Sequence, residues 1–270
     1  MSFSYRSAAV SAVSTGLVPV PSKSTPTVGY QRPGIRPQRA PVRTRRYEIA
    51  WLSASGDIET STRIAPAIAQ FEEAFSALAR GTVLQTEDGP IAVEDLMPGT
   101  RVQTAEGRFE RVMWVGSMTI FPPNAVSGIE PALMTRVTAD AFGLGRPNPD
   151  LVLGPRARIL LRDDRFHSAT GISAAYAPAA AFIDGVSIVE VTPIAPIPVY
   201  HLVLERHGSI RAAGLEVESY HPGVGTGDAT DPQLAALFLA LFPNMKSFAD
   251  FGPVAHPRLS ADEMERVLYG

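Results

Sequence analysis

From Gly81 to about Tyr220 the chain alternates short apolar runs with polar turns. The runs are GTVLQT, AVEDL, TRVQTA, RVMWVGSMTI, LVLG, ARILL, GVSIVEV, VYHLVL and IRAAGLEV. They are rich in Val, Ile, Leu and Thr, the residues that fit a pleated, half-buried surface. Asp88-Gly89, Pro98-Gly99, Glu106-Gly107 and Asp184-Gly185 punctuate them as turns. This pattern predicts a mainly β fold of many short antiparallel strands. Upstream, YEIAWLSASGDIETSTRIAP reads as a hairpin with a Ser-Gly-Asp turn, so order is expected from Tyr47. Residues 66–79 (PAIAQFEEAFSALA) carry apolar positions at helical spacing and predict a short helix. Two more helices are expected at the C-terminus. DPQLAALFLALF offers Asp231 as N-cap before Pro232, and SADEMERVLYG pairs Ser260 with Glu263 in a capping box.

Composition narrows the chemistry. The 270 residues are 45% hydrophobic and 19% charged, ordinary for a globular protein. With no cysteine there are no disulfides, thiolate metal sites or cysteine nucleophiles. His167, His201, His207, His221 and His256 are scattered, so no zinc site and no cofactor are expected. The longest apolar run, LAALFLALF, is far short of the ~18 residues of a membrane span. Together with the lack of an apolar leader, this predicts a soluble protein of the cytoplasm.

Charge divides the chain. Residues 1–46 hold eight of the 24 Lys and Arg residues and no acid, leaving 16 bases against 27 acids beyond them. The segment is also rich in Pro and Ser, and is expected to be a disordered basic tail. It reads as a solvated extension, as a weak contact to an acidic partner, or as a transit-like peptide.

Four passages carry a family resemblance. ALARGTVLQTEDGPIAVEDLMPGTRVQT (77–104), RVMWVGSMTI (111–120), DLVLGPRARILL (150–161) and VYHLVLERHGSIRAAGLEVES (199–219) follow one another in order. They resemble the blocks of the Hint (Hedgehog/intein) autoprocessing family, and especially bacterial Hint variants that end without a splice junction. The resemblance implies an all-β Hint domain over 77–222. A hairpin and lead-in over 47–76 would precede it, and a helical extension over 223–270 would follow.

Family chemistry is nucleophilic catalysis within one chain. A Cys or Ser opening the domain attacks the carbonyl of the preceding residue, a middle-block histidine assists, and a terminal His-Asn completes the intein reaction. Residue by residue, the nucleophile position falls on Ala77 and the middle histidine on Ala157. The threonine three places earlier falls on Gly154, and the terminal pair on Glu218-Ser219. Only the late histidine has a counterpart, His207. A methyl group cannot attack, and groups that act as a unit leave little when several are missing. Ser76 lies one residue early, displaced about 3.5 Å along the chain, and Thr82 and Ser219 are the other hydroxyls in reach of the argument.

The expectation is therefore a pseudoenzyme: a Hint-fold scaffold or binding protein with an unidentified protein partner. The competing reading is active self-processing through Ser76, Thr82 or Ser219, with His207 assisting. Arg156 and Arg158, flanking Ala157, read either as a basic notch or as a strand edge. Glu94-Asp95 read as solvated surface, and Trp51 and Trp114 as core.

Overall fold

The computed structural model describes residues 43–123, 132–162, 167–168, 171–223, 226 and 231–269. The expected basic tail lies outside these residues except at its end, where the chain is already β-strand. Strand β1 is Thr44–Leu52, not a start at Tyr47. Arg45 there is tied down, its guanidinium 2.8 Å from Glu72 and donating to Thr119 O. β1 pairs with β2 (Ile58–Pro66) through the expected turn.

The run 66–79 divides. Only Ala69–Glu72 (α1) is α-helix, followed by a 3₁₀ turn at Glu73–Phe75, while Leu78–Ala79 is a strand (β3). Phe71, Ala74, Phe75, Ala77, Leu78 and Ala79 are all buried. The stretch from Ala74 to Ala79 is buried throughout, Ser76 included, so it does not reveal its own period. The body continues with β4 (Val83–Thr86), β5 (Gly89–Ala92), β6 (Arg101–Gln103) and β7 (Phe109–Ile120). AVEDL is not a strand: Val93–Asp95 is a 3₁₀ turn. Then come β8 (Met134–Val137), β9 (Leu151–Leu153), β10 (Arg158–Leu161), β11 (Ala175–Pro178), β12 (Ile188–Val191), β13 (Ile197–Leu204), β14 (Ser209–Ala212) and β15 (Leu215–Glu218).

All named strand pairs are antiparallel and form one continuous network in the order β11-β10-β15-β14-β4-β6-β7-β13-β3-β9-β8-β12. β7 is the spine. Its first residues pair with β6, and its later residues lie between β13 and β1. Gly116, on that spine, has no room for a side chain: a Cβ would stand 2.1 Å from Trp114 and 2.6 Å from Phe75.

Two helices close the chain, as expected. Helix α2 is Pro232–Leu239, with the Asp231 carboxylate accepting from the Gln233 and Leu234 N–H groups. Helix α3 is Ala261–Tyr269, opened by reciprocal bonds between Ser260 and Glu263. Among the described residues no helix is long and apolar enough to cross a membrane.

Candidate functional site

The Ser76–Ala77 peptide, where the sequence places the opening of the Hint reaction, lies deep in the body. Ala77 and Ser76 are fully buried. The Ala77 N–H donates to Tyr200 O at 3.1 Å on β13, and Ala77 O accepts from the Gly154 N–H at 2.8 Å. Ser76 O accepts from the Arg156 N–H at 3.2 Å. The loop after β9 thus clamps this peptide with two backbone N–H groups. Gly154 makes the approach so close that a Cβ there would sit 2.2 Å from Ser76 O and 2.7 Å from its carbonyl carbon. Ala157 is buried just beyond, its N–H donating to Gly154 O.

The candidate hydroxyls have other engagements. Ser76 Oγ donates to Glu72 O at 2.7 Å, and Thr82 Oγ1 donates to Ala79 O at 2.7 Å. Ser219 Oγ accepts from the Gly208 N–H at 3.2 Å. A carbonyl is no base for a hydroxyl proton, so neither Ser76 nor Thr82 is activated in this arrangement.

The positions of the terminal pair hold a buried charge. Glu218 ends β15 at the interior, and two arginines converge on it. Arg258 Nε donates to its Oε1 at 2.9 Å, and Arg158 lies 3.7 Å from Oε2 while pairing with Glu73 at 2.6 Å. Burial alone would push the Glu218 carboxyl up, but the His207 hydrogen bond and the charges of Arg258 and Arg158 bring it below the usual range. It is a counter-ion to the two arginines, and its depressed value makes it a weaker base.

His207 is locked at both nitrogens. Nδ1 accepts from the Ala255 N–H at 3.0 Å, which leaves the ring proton on Nε2. Nε2 donates to Ser219 O at 3.0 Å and lies 3.3 Å from Glu218 Oε1. Its rings neighbour Tyr176 and His221 edge-on. His221 donates from Nε2 to Gly252 O and accepts the Gly223 N–H at Nδ1. Behind them His201 is fully enclosed, and burial, then Arg158, Arg258 and His207, hold it well below an ordinary histidine.

The segment before α3 straps this region shut. The Tyr176 N–H donates to Pro257 O and the Leu259 N–H to Tyr176 O, while Arg258 also donates to His221 O. Glu73 and Arg258 escaped the sequence reading, and the pairing of Arg158 with Glu73 and Glu218 did too, because these residues meet only in three dimensions. Their one local sign was the pair of acids Glu216 and Glu218 in a short β run. Of the two readings of the flanking arginines, Arg158 is an interior ion-pair member and Arg156 is exposed. Glu94 is not merely solvated: it accepts the Gly81 N–H at 2.8 Å and pairs with Arg80. A groove of about 570 Å³ opens elsewhere, lined by Glu48, Thr60, Glu94, Met97 and Tyr200 among others, and none of the family positions lines it. Among the described residues no cluster of three or more His, Asp or Glu is placed to hold a metal.

The chain matches the family model of the Hint domain over residues 76–224. It belongs to the Hint domain family. Solved structures similar to it include two inteins or intein-like domains. One is the solution structure of a bacterial intein-like domain from Clostridium thermocellum, at 11% identity over 54% of this chain and 99% of that one, TM-score 0.37. The other is the crystal structure of the MchDnaB-1 intein, at 16% identity over 53% of this chain and 100% of that one, TM-score 0.34. No curated protein matches the chain.

Proposed function

We propose that this is a non-catalytic Hint-fold protein, a scaffold or binding module that keeps the frame of the self-processing family without its reaction. One observation carries the reading. The peptide at the family's cutting position has a methyl group where the nucleophile belongs and is pressed against Gly154 without space for an assisting side chain. The second-step position supports the same reading, since Arg158 and Arg258 are balanced there by Glu73 and Glu218. His207 then positions the Ser219 carbonyl and the strap instead of moving protons.

The test is the mass of the intact chain, incubated at neutral pH with and without hydroxylamine or excess thiol. A single species at 28.9 kDa is expected under both conditions. Fragments ending near Ser76 or Ser219, formed faster with the added nucleophile, would overturn the proposal in favour of self-processing. The protein partner remains to be captured. Residues 1–46 are proposed to contact an acidic surface weakly, with binding that declines as salt rises.

A further inference from the structure

The outer edge of β2 is a strand complementary to itself. Among the described residues, β2 pairs with β1 alone. Its sequence Ile58-Glu59-Thr60-Ser61-Thr62-Arg63-Ile64 is nearly a palindrome in chemistry. Laid antiparallel against a second copy with Ser61 on the two-fold axis, Ile58 faces Ile64, Glu59 faces Arg63 and Thr60 faces Thr62. Every contact is matched: apolar with apolar, acid with base, hydroxyl with hydroxyl.

The backbone fits the same register. The Ser53 N–H donates to Asp57 O at one end of the β1–β2 ladder, and the Ala67 N–H to Arg43 O at the other. The register between them is unbroken, Thr44 with Pro66 through Leu52 with Ile58. Odd-numbered residues of β2 therefore spend their N–H and C=O groups on β1. Ile58, Thr60, Thr62 and Ile64 turn theirs outward. With Ser61 on the axis, the outward residues meet as hydrogen-bonded pairs, Thr60 with Thr62 and Ile58 with Ile64. Glu59 and Arg63 fall in non-hydrogen-bonded pairs, where side chains are closest and opposite charges gain most.

Exposure agrees. Ile64 is 75% exposed and Ile58 45%, two large apolar side chains on one face of an open edge. Charges on an edge strand usually repel a second strand. Here their spacing does the reverse for one partner only, a second copy running antiparallel.

We propose that two copies of this chain associate through β2, edge to edge, continuing the sheet across a two-fold axis at Ser61. The hairpin lies outside residues 76–224, so the inference stands whether or not the chain processes itself. A ladder this short buries less than the ~1,200–2,000 Å² of a standard stable interface. The association is thus a concentration-dependent dimer.

The experiment is sedimentation equilibrium of the full chain across a wide concentration range, followed by charge swaps. The mass is expected to climb from 28.9 kDa toward twice that value. Arg63→Glu alone and Glu59→Arg alone each place like charges opposite and are expected to abolish the climb. An equimolar mixture of the two variants restores opposite charges and is expected to dimerise. Because the chain has no cysteine, Ser61→Cys is a clean second readout. Its two thiols meet across a non-hydrogen-bonded pair of about 4.5 Å between Cα atoms, so oxidation should cross-link it many-fold faster than Glu59→Cys. A single-chain mass at every concentration, a dimer indifferent to Arg63→Glu, or equal cross-linking of the two cysteine variants would each overturn the proposal. The single-chain mass is also the result expected if another segment or a foreign strand occupies the edge.

Discussion

Among the described residues, the two largest hydrophobic interiors differ in make. One is aliphatic: Leu78, Leu84, Val102, Val112, Leu153, Ile159, Leu202, Ile210 and Leu215 pack at its centre, and every buried member lies between Ala77 and Val217. The other is aromatic, built from Tyr47, Trp51, Phe71, Phe75, Trp114, Tyr220, Phe238, Phe242 and Phe251. Its members come from three places: the N-terminal hairpin and α1, the family body, and the C-terminal helices. Trp114 joins them, tilted against Phe242 at 4.5 Å, edge-on to Phe75 at 5.3 Å, and donating its Nε1–H to Leu241 O at 2.8 Å. The aliphatic interior is the Hint body's own. The aromatic interior is shared, so the flanking segments are structural parts of one unit and not loose appendages.

The strongest way to break this comparison is to cut it. Residues 76–224 expressed alone would expose the faces of Trp114 and Tyr220 that the flanks now cover. The expected outcome is loss of cooperative thermal unfolding, followed by circular dichroism, with binding of a dye for exposed apolar surface. A cooperative transition at the full chain's temperature would show the aromatic interior to be dispensable. Next in size, Trp114→Ala should cost about 3–5 kcal/mol, as large aromatic truncations in cores do, and chemical denaturation should still give one transition. Two separated transitions would mean that the two interiors fold independently. Gly116→Ala pushes a methyl into Trp114 and Phe75, and overpacking of this kind costs about 1–3 kcal/mol.

The polar interior at Glu218 gives a subtler contrast, read by pH. His201, His221 and His256 are all held below the ordinary histidine value of 6.5, mainly by burial. The unfolded chain therefore takes up protons that the folded chain refuses, and stability should start to fall as pH drops below about 6.5. Glu218, held below 4.5 against its burial by His207, Arg258 and Arg158, stabilises the fold above that value. Its contribution disappears as pH falls through its depressed value. Glu218→Gln should flatten the acid end of the stability curve and leave the histidine region in place. The smallest expected effect is Asp231→Ala, which removes the cap of α2 at a cost of about 1 kcal/mol, measurable as a modest fall in denaturation midpoint.

Much of this was legible in the sequence, and the exceptions share a cause. Strands with alternating faces and glycine turns announced themselves, as did the capped helices at Asp231 and Ser260. Leu78–Ala79 did not, because β3 lies between β13 and β9 with both residues buried. A strand without a polar face has no alternation to read. The motif assigns family positions to residues, yet what fills the space around those residues could not be read from it. Arg158 and Arg258 reach Glu218 from segments 60 and 40 residues away along the chain. Glu94 looked like turn surface because its partner, the Gly81 N–H, is a backbone group that no sequence pattern displays.

The fit at Gly154, where an added Cβ would stand 2.2 Å from Ser76 O, bears on what repair of the site would take. Placing cysteine at Ala77 and histidine at Ala157 would bring two reactive groups to a peptide that the neighbouring loop grips. A side chain at Gly154 would have no place to stand until that loop withdrew, and its withdrawal would release the Gly154 N–H bond to Ala77 O and the Arg156 N–H bond to Ser76 O together. The side chain allowed at position 154 and the position of the loop after β9 are thus one variable, and neither can change alone.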